Sequence, residues 1–227
     1  IISCLLFIYV EWKSYLMPNY LIKTPALFRW LYPSCVWRIP NSENKIFLTF
    51  DDGPNPVITE KILAILTKYD VPATFFCIGK QAQKHPKLFS QLLKSKHDVG
   101  NHSQTHKNGW KTPNKEYLND VDMCSKAFTS SLFRPPYGKI TPKQVKKLMP
   151  HFKIIMWDVI GADFDETVDS LKIQKNIIEN TESGSIIVLH DNPKFAEKML
   201  EVLPSVITTL KEKGFVFSSI DDALLRQ

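Results

Sequence analysis

The alternation of short apolar runs with amphipathic stretches after Pro40 constrains the fold of this chain more than any other feature. Seven of the runs predict β-strands, at residues 46–50, 73–77, 98–100, 132–134, 154–157, 185–189 and 215–217. Strands that alternate with helices form parallel sheets, and such sheets often close into barrels. We therefore predict an α/β fold, a distorted (β/α)7 barrel of parallel strands that is TIM-barrel-like, with an open doubly wound sheet as the alternative.

Helices are predicted between the strands. Apolar spacing and helix-starting residues indicate them at residues 59–69, 86–95, 115–131, from Thr141 onwards, 171–180 and 194–213. Pro204 falls inside the last of these and should kink or split it. After the first strand, Gly53 stands between Asp52 and Pro54. This loop therefore lacks the glycine-rich sequence that cradles a dinucleotide phosphate, which disfavours the open sheet.

Composition excludes several classes of protein. Hydrophobic residues make up 44% of the 227 residues, as in a globular protein with a substantial core. The net charge of +6 comes from scattered lysines with no arginine cluster, so no nucleic-acid partner is expected. Cys77 closes an apolar strand and is predicted to be a small core residue. With Cys4, Cys35 and Cys124 it forms no CxxC pair, which indicates neither a disulfide framework nor a cysteine-bound zinc.

Residues 1–40 are predicted to form an N-terminal extension, and residues 41–227 the functional domain. Residues 1–10 are strongly apolar until Glu11 interrupts them, which is too short for a transmembrane helix. If they are the end of a signal or anchor segment, the protein is exported or membrane-associated, and this segment alone would touch the membrane. If translation starts at Met17, the protein is cytoplasmic. The sequence leaves both open, and it indicates no oligomeric state.

Two adjacent carboxylates, Asp51 and Asp52, directly follow the first predicted strand. They repel each other and lose hydration there, so such a pair is tolerated mainly where a metal or a chemical task holds the charges. His102 and His106 stand four residues apart, and they would share one face if their segment were helical. One carboxylate and two imidazoles make a metal site with a position left for water, while the second carboxylate is free to act as a base. The residues therefore predict a metal-assisted hydrolase.

Further polar and aromatic side chains follow the later strands. Because the carboxyl ends of parallel strands meet at one edge of a barrel, these side chains are expected to converge there. They are Arg134 after the fourth strand, Trp157 and Asp158 at the end of the fifth with Asp163 soon after, and His190 and Asp191 after the sixth. Because all these residues fall at the same end of successive strands, a shared functional site explains them better than packing does. The remaining histidines do not share this placement and are predicted to lie on the surface; they are His85, His97 and His151.

On these residues the chain resembles the polysaccharide deacetylases of carbohydrate esterase family 4, which carry the NodB homology domain. The resemblance covers residues 46–217 and rests on five motifs in order: Thr49-Phe50-Asp51-Asp52-Gly53, His102-Ser103-Gln104-Thr105-His106, Arg134-Pro135-Pro136-Tyr137-Gly138, Trp157 through Asp163, and Ile187-Val188-Leu189-His190-Asp191. The first three motifs together are highly specific. The family's fold is a distorted barrel of βα units, in agreement with the predicted strands.

The resemblance implies a metal site and two groups that move protons. Asp52, His102 and His106 would bind one divalent metal ion, commonly zinc, although the same ligands suit cobalt, nickel or iron. Asp51 would be the general base, and His190 the general acid.

Supporting roles are implied as well. Arg134 would orient Asp51, and Asp163 would tune His190. The backbone amide of Tyr137 would help to bind the oxyanion. The pocket for the substrate would be lined by Trp157, Leu189 and Pro136.

The implied activity is the removal of N-acetyl groups from N-acetylhexosamine units of a polysaccharide or oligosaccharide, with release of acetate. The alternatives are an esterase for O-acetyl sugars of the xylan type, and a catalytically silent glycan-binding barrel. The sequence does not name the glycan. Two departures from the family's fourth motif bear on it: Ile160 stands where the family usually has aspartate, and Phe164 where it usually has tryptophan. Asp163 is retained, so the chemistry should survive although the pocket wall is altered.

Overall fold

The computed structural model of the protein describes residues 20–225. Cys4, Met17 and residues 1–10, on which the two alternatives for export depend, lie outside the described residues. Within the described part, no helix combines the length and the hydrophobicity that crossing a bilayer requires. The division of the chain at residue 40 stays a prediction.

Eight strands form one sheet that curls into an incomplete barrel. They are β1 Lys45–Asp51, β2 Thr74–Cys77, β3 Asp98–Asn101, β4 Leu132–Phe133, β5 Lys153–Ile154, β6 Val159–Ile160, β7 Ile186–His190 and β8 Val216–Phe217. Seven of them are hydrogen-bonded in the order β5-β4-β3-β2-β1-β7-β6, and β8 pairs with β1 off this path. Every ladder between them is parallel. The predicted fold, an α/β distorted barrel of parallel strands, is confirmed.

Nine α-helices accompany the strands in residues 20–225. They are α1 Ala26–Leu31, α2 Ile58–Lys68, α3 Gly79–Lys84, α4 Pro86–Leu93, α5 Asn114–Ala127, α6 Pro142–Leu148, α7 Ser170–Asn180, α8 Ala196–Glu212 and α9 Ile220–Leu225. The predicted helices are all present with ends shifted by a few residues, whereas α1, α3 and α9 were not predicted. Helix α8 runs through Pro204 as one element, so of the two predicted effects of this proline the split is wrong and the kink stays a prediction. Buried side chains on both sides of Pro204, among them Met199 and Leu210, pack into the core and hold the helix together.

The core is centred on β1, which pairs with β2, β7 and β8. Ile46, Leu48 and Phe50 are fully buried, as expected for a parallel strand that is covered on both faces. Phe50 stacks on Phe75 of the neighbouring strand with ring centroids 5.1 Å apart. Cys77 is completely buried with a free thiol, which confirms the prediction that it is a small core residue.

Residues 20–40, here called the N-terminal segment, cover the two outer edges of the sheet. The backbone N–H of Val36 donates to the carbonyl of Ile154 in β5 (2.8 Å). The N–H of Ile160 in β6 donates to the carbonyl of Ile22 (3.0 Å). The segment therefore lies across the gap that the incomplete barrel leaves between β5 and β6.

Asp158 anchors the N-terminal segment electrostatically. Its side chain is fully buried, and its carboxylate lies 2.8 Å from Lys23 Nζ, 3.6 Å from Arg29 Nη1 and 3.5 Å from Arg38 Nε. The hydroxyl of Ser185 donates to the same carboxylate (2.6 Å). A buried carboxylate is tolerated only when it is paired in this way, so Asp158 is explained by packing of the segment.

The strand predictions fail between Lys153 and Ile160. The sequence predicts one strand at residues 154–157, but the structure has two short strands separated by a bend. Trp157 and Asp158 therefore lie between strands, and not at the end of the fifth as predicted. The cause is that the chain turns here from pairing with β4 to pairing with β7.

His97 is buried, contrary to the prediction of a surface position. Its Nδ1 accepts a hydrogen bond from the backbone N–H of Ala73 (3.2 Å), and its ring packs edge-on against Phe75. Burial lowers the pKa of His97 to about 4, so the imidazole is neutral. The ring satisfies a backbone donor at the start of a strand, which its polar sequence context does not reveal. His151 is exposed as predicted, and His85 is partly buried.

Candidate active site

The candidate residues lie at the carboxyl ends of the strands. Asp51 ends β1, in register with His190 at the end of β7. Arg134 follows β4 directly, and Asp163 follows β6 by three residues. A cavity of about 720 Å³ opens at this end of the barrel. Its lining includes Asp51, Asp52, His102, His106 and His190.

Asp52, His102 and His106 form a group that fits a divalent metal ion. One ligand atom from each lies within 4.8 Å of the others. Asp52 Oδ1 lies 3.1 Å from His106 Nε2 and 3.7 Å from His102 Nε2. This oxygen is buried and lacks a hydrogen-bond partner among the described residues. Since buried polar atoms are normally paired, an unpaired carboxylate oxygen between two imidazole nitrogens indicates a cation site.

The two histidines are brought together by a loop, not by the helical turn that the sequence analysis considered. No helix covers residues 102–106, and Ser103 and His106 have left-handed backbone angles, with φ values of 62° and 60°. The Asn101 side chain accepts from the N–H of Ser103 (2.8 Å), and Asp120 accepts from the N–H of Thr105 (3.0 Å). These side chains hold a conformation that costs free energy, as is common at functional sites.

Neighbouring groups orient two of the metal-site residues. His102 Nδ1 lies 2.8 Å from the carbonyl of Arg134 and donates to it, which leaves Nε2 free to bind a cation. Burial lowers the pKa of His102 to about 4, so the ring is neutral as a metal ligand must be. Asn192 donates to Asp52 Oδ2 (3.0 Å) and thereby leaves Oδ1 facing the imidazoles.

Asp51 forms a buried ion pair with Arg134. Arg134 Nη1 lies 2.7 Å from Asp51 Oδ1 and also donates to Thr49 Oγ1 (2.7 Å). Its Nη2 donates to the carbonyl of Met156 (3.0 Å), and the guanidinium stacks 4.0 Å from the centre of the Phe76 ring. The guanidinium is fully buried, and burial lowers its pKa. Asp51 is thus held in one orientation by a charge-assisted hydrogen bond.

His190 pairs with Asp163. His190 Nδ1 lies 2.9 Å from Asp163 Oδ1, and the backbone N–H of His190 donates to Oδ2 (2.7 Å). Burial on its own would lower the pKa of His190, but the Asp163 carboxylate outweighs it and raises the pKa to about 9. The imidazole is therefore protonated near neutral pH and can donate a proton into the cavity.

The other predicted site residues differ in their exposure and in whether they line the cavity. Tyr137 has a left-handed backbone (φ 60°) in the 3-10 turn Pro136–Gly138, and its exposed ring packs on His106 with centroids 4.5 Å apart. Trp157 lines the cavity. Leu189 is buried in the main core, and Pro136 is buried at the start of the turn. The contacts of these residues with a substrate stay predictions.

The sequence analysis gave no role to several residues that build the site. Asn192 lies outside the five motifs, Thr49 lies inside the first of them, and the roles of both depend on contacts across the sheet. Asp191 is buried behind the Asp51-Asp52 loop, where burial raises its pKa to about 7. Thr59 donates to its carboxylate (2.5 Å), and Asn55 donates to its backbone carbonyl. These bonds tie the loop after β1 to the end of β7.

The N-terminal segment was also missed as part of the site. Part of the cavity wall comes from its aromatic and apolar side chains, among them Tyr20, Leu21, Phe28, Tyr32 and Trp37. No sequence pattern in residues 20–40 signals this, because the segment reaches the site through pairing with β5 and β6.

Comparison with known proteins gives consistent matches. The polysaccharide deacetylase family model matches residues 38–150. A peptidoglycan-N-acetylglucosamine deacetylase from Bacillus cereus is 31% identical over 195 residues, which is 83% of this chain and 92% of that protein. A chitooligosaccharide deacetylase from Sinorhizobium fredii is 28% identical over 198 residues, covering 77% of this chain and 89% of that protein.

Solved structures share the fold. A crystal structure of a peptidoglycan N-acetylglucosamine deacetylase superposes with a TM-score of 0.81 and 31% identity, covering 86% of this chain and 95% of that chain. A pseudoenzyme of carbohydrate esterase family 4 from Bacillus anthracis superposes with a TM-score of 0.73 and 26% identity, covering 83% of this chain and 68% of that chain. Likeness of fold therefore does not by itself distinguish an enzyme from a silent barrel, and the side chains of the site must decide.

Proposed function

We propose that this chain, which belongs to the polysaccharide deacetylase family, is a metal-dependent hydrolase. In this proposal it removes N-acetyl groups from a glycan that contains N-acetylglucosamine. The observation that carries the proposal is the arrangement of three groups around one cavity. The Asp52–His102–His106 triad has the paired Asp51 on one side, and the protonated His190 also faces the cavity. Named relatives that act on peptidoglycan and chitooligosaccharides support this class of substrate.

Asp52, His102 and His106 would hold the metal ion. When bound, a divalent metal lowers the pKa of water towards neutrality and polarises an acyl carbonyl. The donor set of one carboxylate and two neutral imidazoles suits zinc, and it also suits cobalt, nickel or iron.

Asp51 is the general base in this proposal. It removes a proton from the attacking water as the oxygen bonds to the carbonyl carbon of the acetamide. Arg134 fixes the orientation of the carboxylate through the 2.7 Å hydrogen bond. The backbone N–H of Tyr137 is the proposed donor to the oxyanion of the tetrahedral intermediate.

His190 is the proposed general acid. When the carbon–nitrogen bond breaks, the sugar nitrogen needs a proton to leave as an amine, and the His190 imidazolium provides it. Asp163 is a positioning residue that keeps this imidazole charged. Acetate and a free amino sugar leave, the proton on Asp51 passes to solvent, and His190 takes up a proton again, so atoms and charge balance.

The pH dependence of activity tests the role of Asp163. Because turnover needs protonated His190, activity is present below the pKa of His190 and is lost as the pH rises through it. Asp163→Asn removes the carboxylate that raises this pKa, so the alkaline limb of kcat/KM is expected to move to lower pH. The measurement is the pH–rate profile of both proteins with one glycan substrate. Asp122→Asn is the matched control, because Asp122 is exposed on α5 and pairs with Lys126 away from the cavity, and an equal shift in this control contradicts the assignment.

The choice between N-acetyl and O-acetyl substrates is tested by acetate release. Ester hydrolysis needs less protonation of the leaving group, so a site built around a charged His190 is expected to act on amides. We expect release from N-acetylglucosamine oligomers at a higher kcat/KM than from acetylated xylan. Release from xylan alone would indicate the esterase, and release from neither by metal-loaded protein would indicate a silent glycan-binding barrel.

A further inference from the structure

We propose that the N-terminal segment forms one wall of the substrate site, and that Tyr20 positions Phe164 against His190 so that this segment selects the glycan. The inference rests on the proposed function, because it concerns which substrates the same site accepts. It makes Tyr20, which lies outside the five sequence motifs, a positioning residue of the site.

A chain of contacts leads from the segment to the proposed acid. The hydroxyl of Tyr20 donates to Asp165 Oδ2 (2.6 Å), and its ring meets Phe164 edge-on with centroids 4.9 Å apart. Phe164 in turn meets His190 edge-on at 5.3 Å. Burial and Asp165 raise the pKa of Tyr20, so its hydroxyl remains a donor. Removal of the Tyr20 ring would take away this edge-on contact of Phe164.

Both departures from the family's fourth motif touch this segment. Phe164 packs on Tyr20, and the backbone of Ile160 pairs with Ile22. Thr24 adds a hydrogen bond to the carbonyl of Trp157 (2.8 Å), which also lines the cavity. The pocket wall that differs from the usual pattern is therefore built jointly by β6, the loop after it and the N-terminal segment.

Asp158 fixes the segment in this position. Lys23, Arg29 and Arg38, all from the segment, converge on its buried carboxylate. Three cations around one fully buried anion give the segment a defined register on the barrel. A loosely attached extension would not need a buried charge at this place.

The chemistry of the wall indicates what it binds. Aromatic and apolar side chains dominate it, and Leu21 and Phe28 line the cavity while remaining exposed to solvent. Flat aromatic side chains offer large apolar surfaces at little cost in conformational entropy, which suits the apolar faces of sugar rings. The ligand class is therefore an oligosaccharide whose sugar next to the acetylated unit packs on the segment.

The test compares Tyr20→Ala and Tyr20→Phe with the unchanged protein on two substrates. Tyr20→Ala is expected to raise KM for an N-acetylglucosamine tetramer about three- to tenfold, with a smaller change in kcat. Hydrolysis of 4-nitrophenyl acetate, which is too small to span the site, should keep its kcat/KM. Tyr20→Phe keeps the ring contact with Phe164 and should restore the low KM.

Two further variants guard against a general loss of structure. Phe28→Ala alters an exposed side chain of the same wall and is expected to raise KM in the same way. Trp30→Ala is the matched control, because Trp30 lies on α1, is 75% exposed and is absent from the cavity lining among the described residues.

The inference is overturned if Tyr20→Ala and Phe28→Ala keep the unchanged KM, or if Trp30→Ala raises it equally. If the unchanged protein releases acetate from the tetramer in those cases, the proposed function stands without this inference. If the unchanged, metal-loaded protein releases none, both fall together.

Discussion

Replacement of Asp51 by asparagine is expected to lower kcat for acetate release about 10²- to 10⁴-fold while leaving metal binding intact. Asparagine has nearly the same size and can still accept the hydrogen bond from Arg134, but it cannot take a proton from water. The metal should stay because Asp52, His102 and His106 are unchanged.

The measurement pairs kcat with the metal content of the purified variant. Asp122→Asn is the matched control, because Asp122 is an exposed aspartate on α5 that pairs only with Lys126 among the described residues. Turnover by Asp51→Asn at the rate of the unchanged protein would contradict the assignment of Asp51 as base. Loss of metal together with activity would instead make Asp51 part of the metal site.

Replacement of Arg134 by methionine is expected to lower the free energy of unfolding by about 3–5 kcal/mol and to reduce activity as well. The guanidinium is fully buried between Asp51, Thr49 and the carbonyl of Met156. Methionine fills part of the space but leaves the Asp51 carboxylate buried without a cation. Most of the expected cost comes from that unpaired charge.

A double-mutant cycle isolates the charge pair. Because Asp51→Asn removes the stranded charge, adding it to Arg134→Met is expected to restore part of the lost stability. Unfolding in urea measures all four proteins, and Arg134→Lys, which keeps the charge but not the planar fork, should fall between the unchanged protein and Arg134→Met. Additive losses of stability would show that Asp51 and Arg134 do not depend on each other.

The fold was predictable because the relevant signals are local. Apolar runs such as the one from Ile46 to Phe50 mark strands that are buried on both faces. The parallel arrangement then brings the residues at strand ends together, so Asp51 and His190 could be expected at the same edge without coordinates. The broken strand around Trp157 was not predictable, because the bend reflects a change of pairing partner between β4 and β7.

The charged residues of the site could be predicted from the sequence, but the residues that hold them in place by hydrogen bonds could not. His102 and His106 were expected to meet, but the left-handed loop that joins them depends on hydrogen bonds from Asn101 and Asp120. Asn192 reaches Asp52 only because β7 and β1 are neighbours. The contribution of the N-terminal segment depends on ion pairs to the buried Asp158, and sequence spacing carries no information about such contacts.

His97 illustrates the same limit on a smaller scale. A histidine in a polar loop is most often solvent-exposed, and its sequence neighbours, Lys96 and Asp98, favour that interpretation. Its ring is buried, where its Nδ1 accepts a hydrogen bond from the N–H of Ala73, the residue before β2. A single hydrogen bond to the backbone N–H of Ala73 thus accounts for the burial of His97, which its polar sequence neighbours predict to be exposed.

The most direct test of the account is acetate release from N-acetylglucosamine oligomers by the chelator-treated protein, measured before and after zinc is added back. We expect no turnover without metal, one ion bound per chain after zinc is added, and restored release that Asp51→Asn abolishes. Equal turnover with and without metal, or the failure of the protein to bind any ion, would contradict the proposed mechanism.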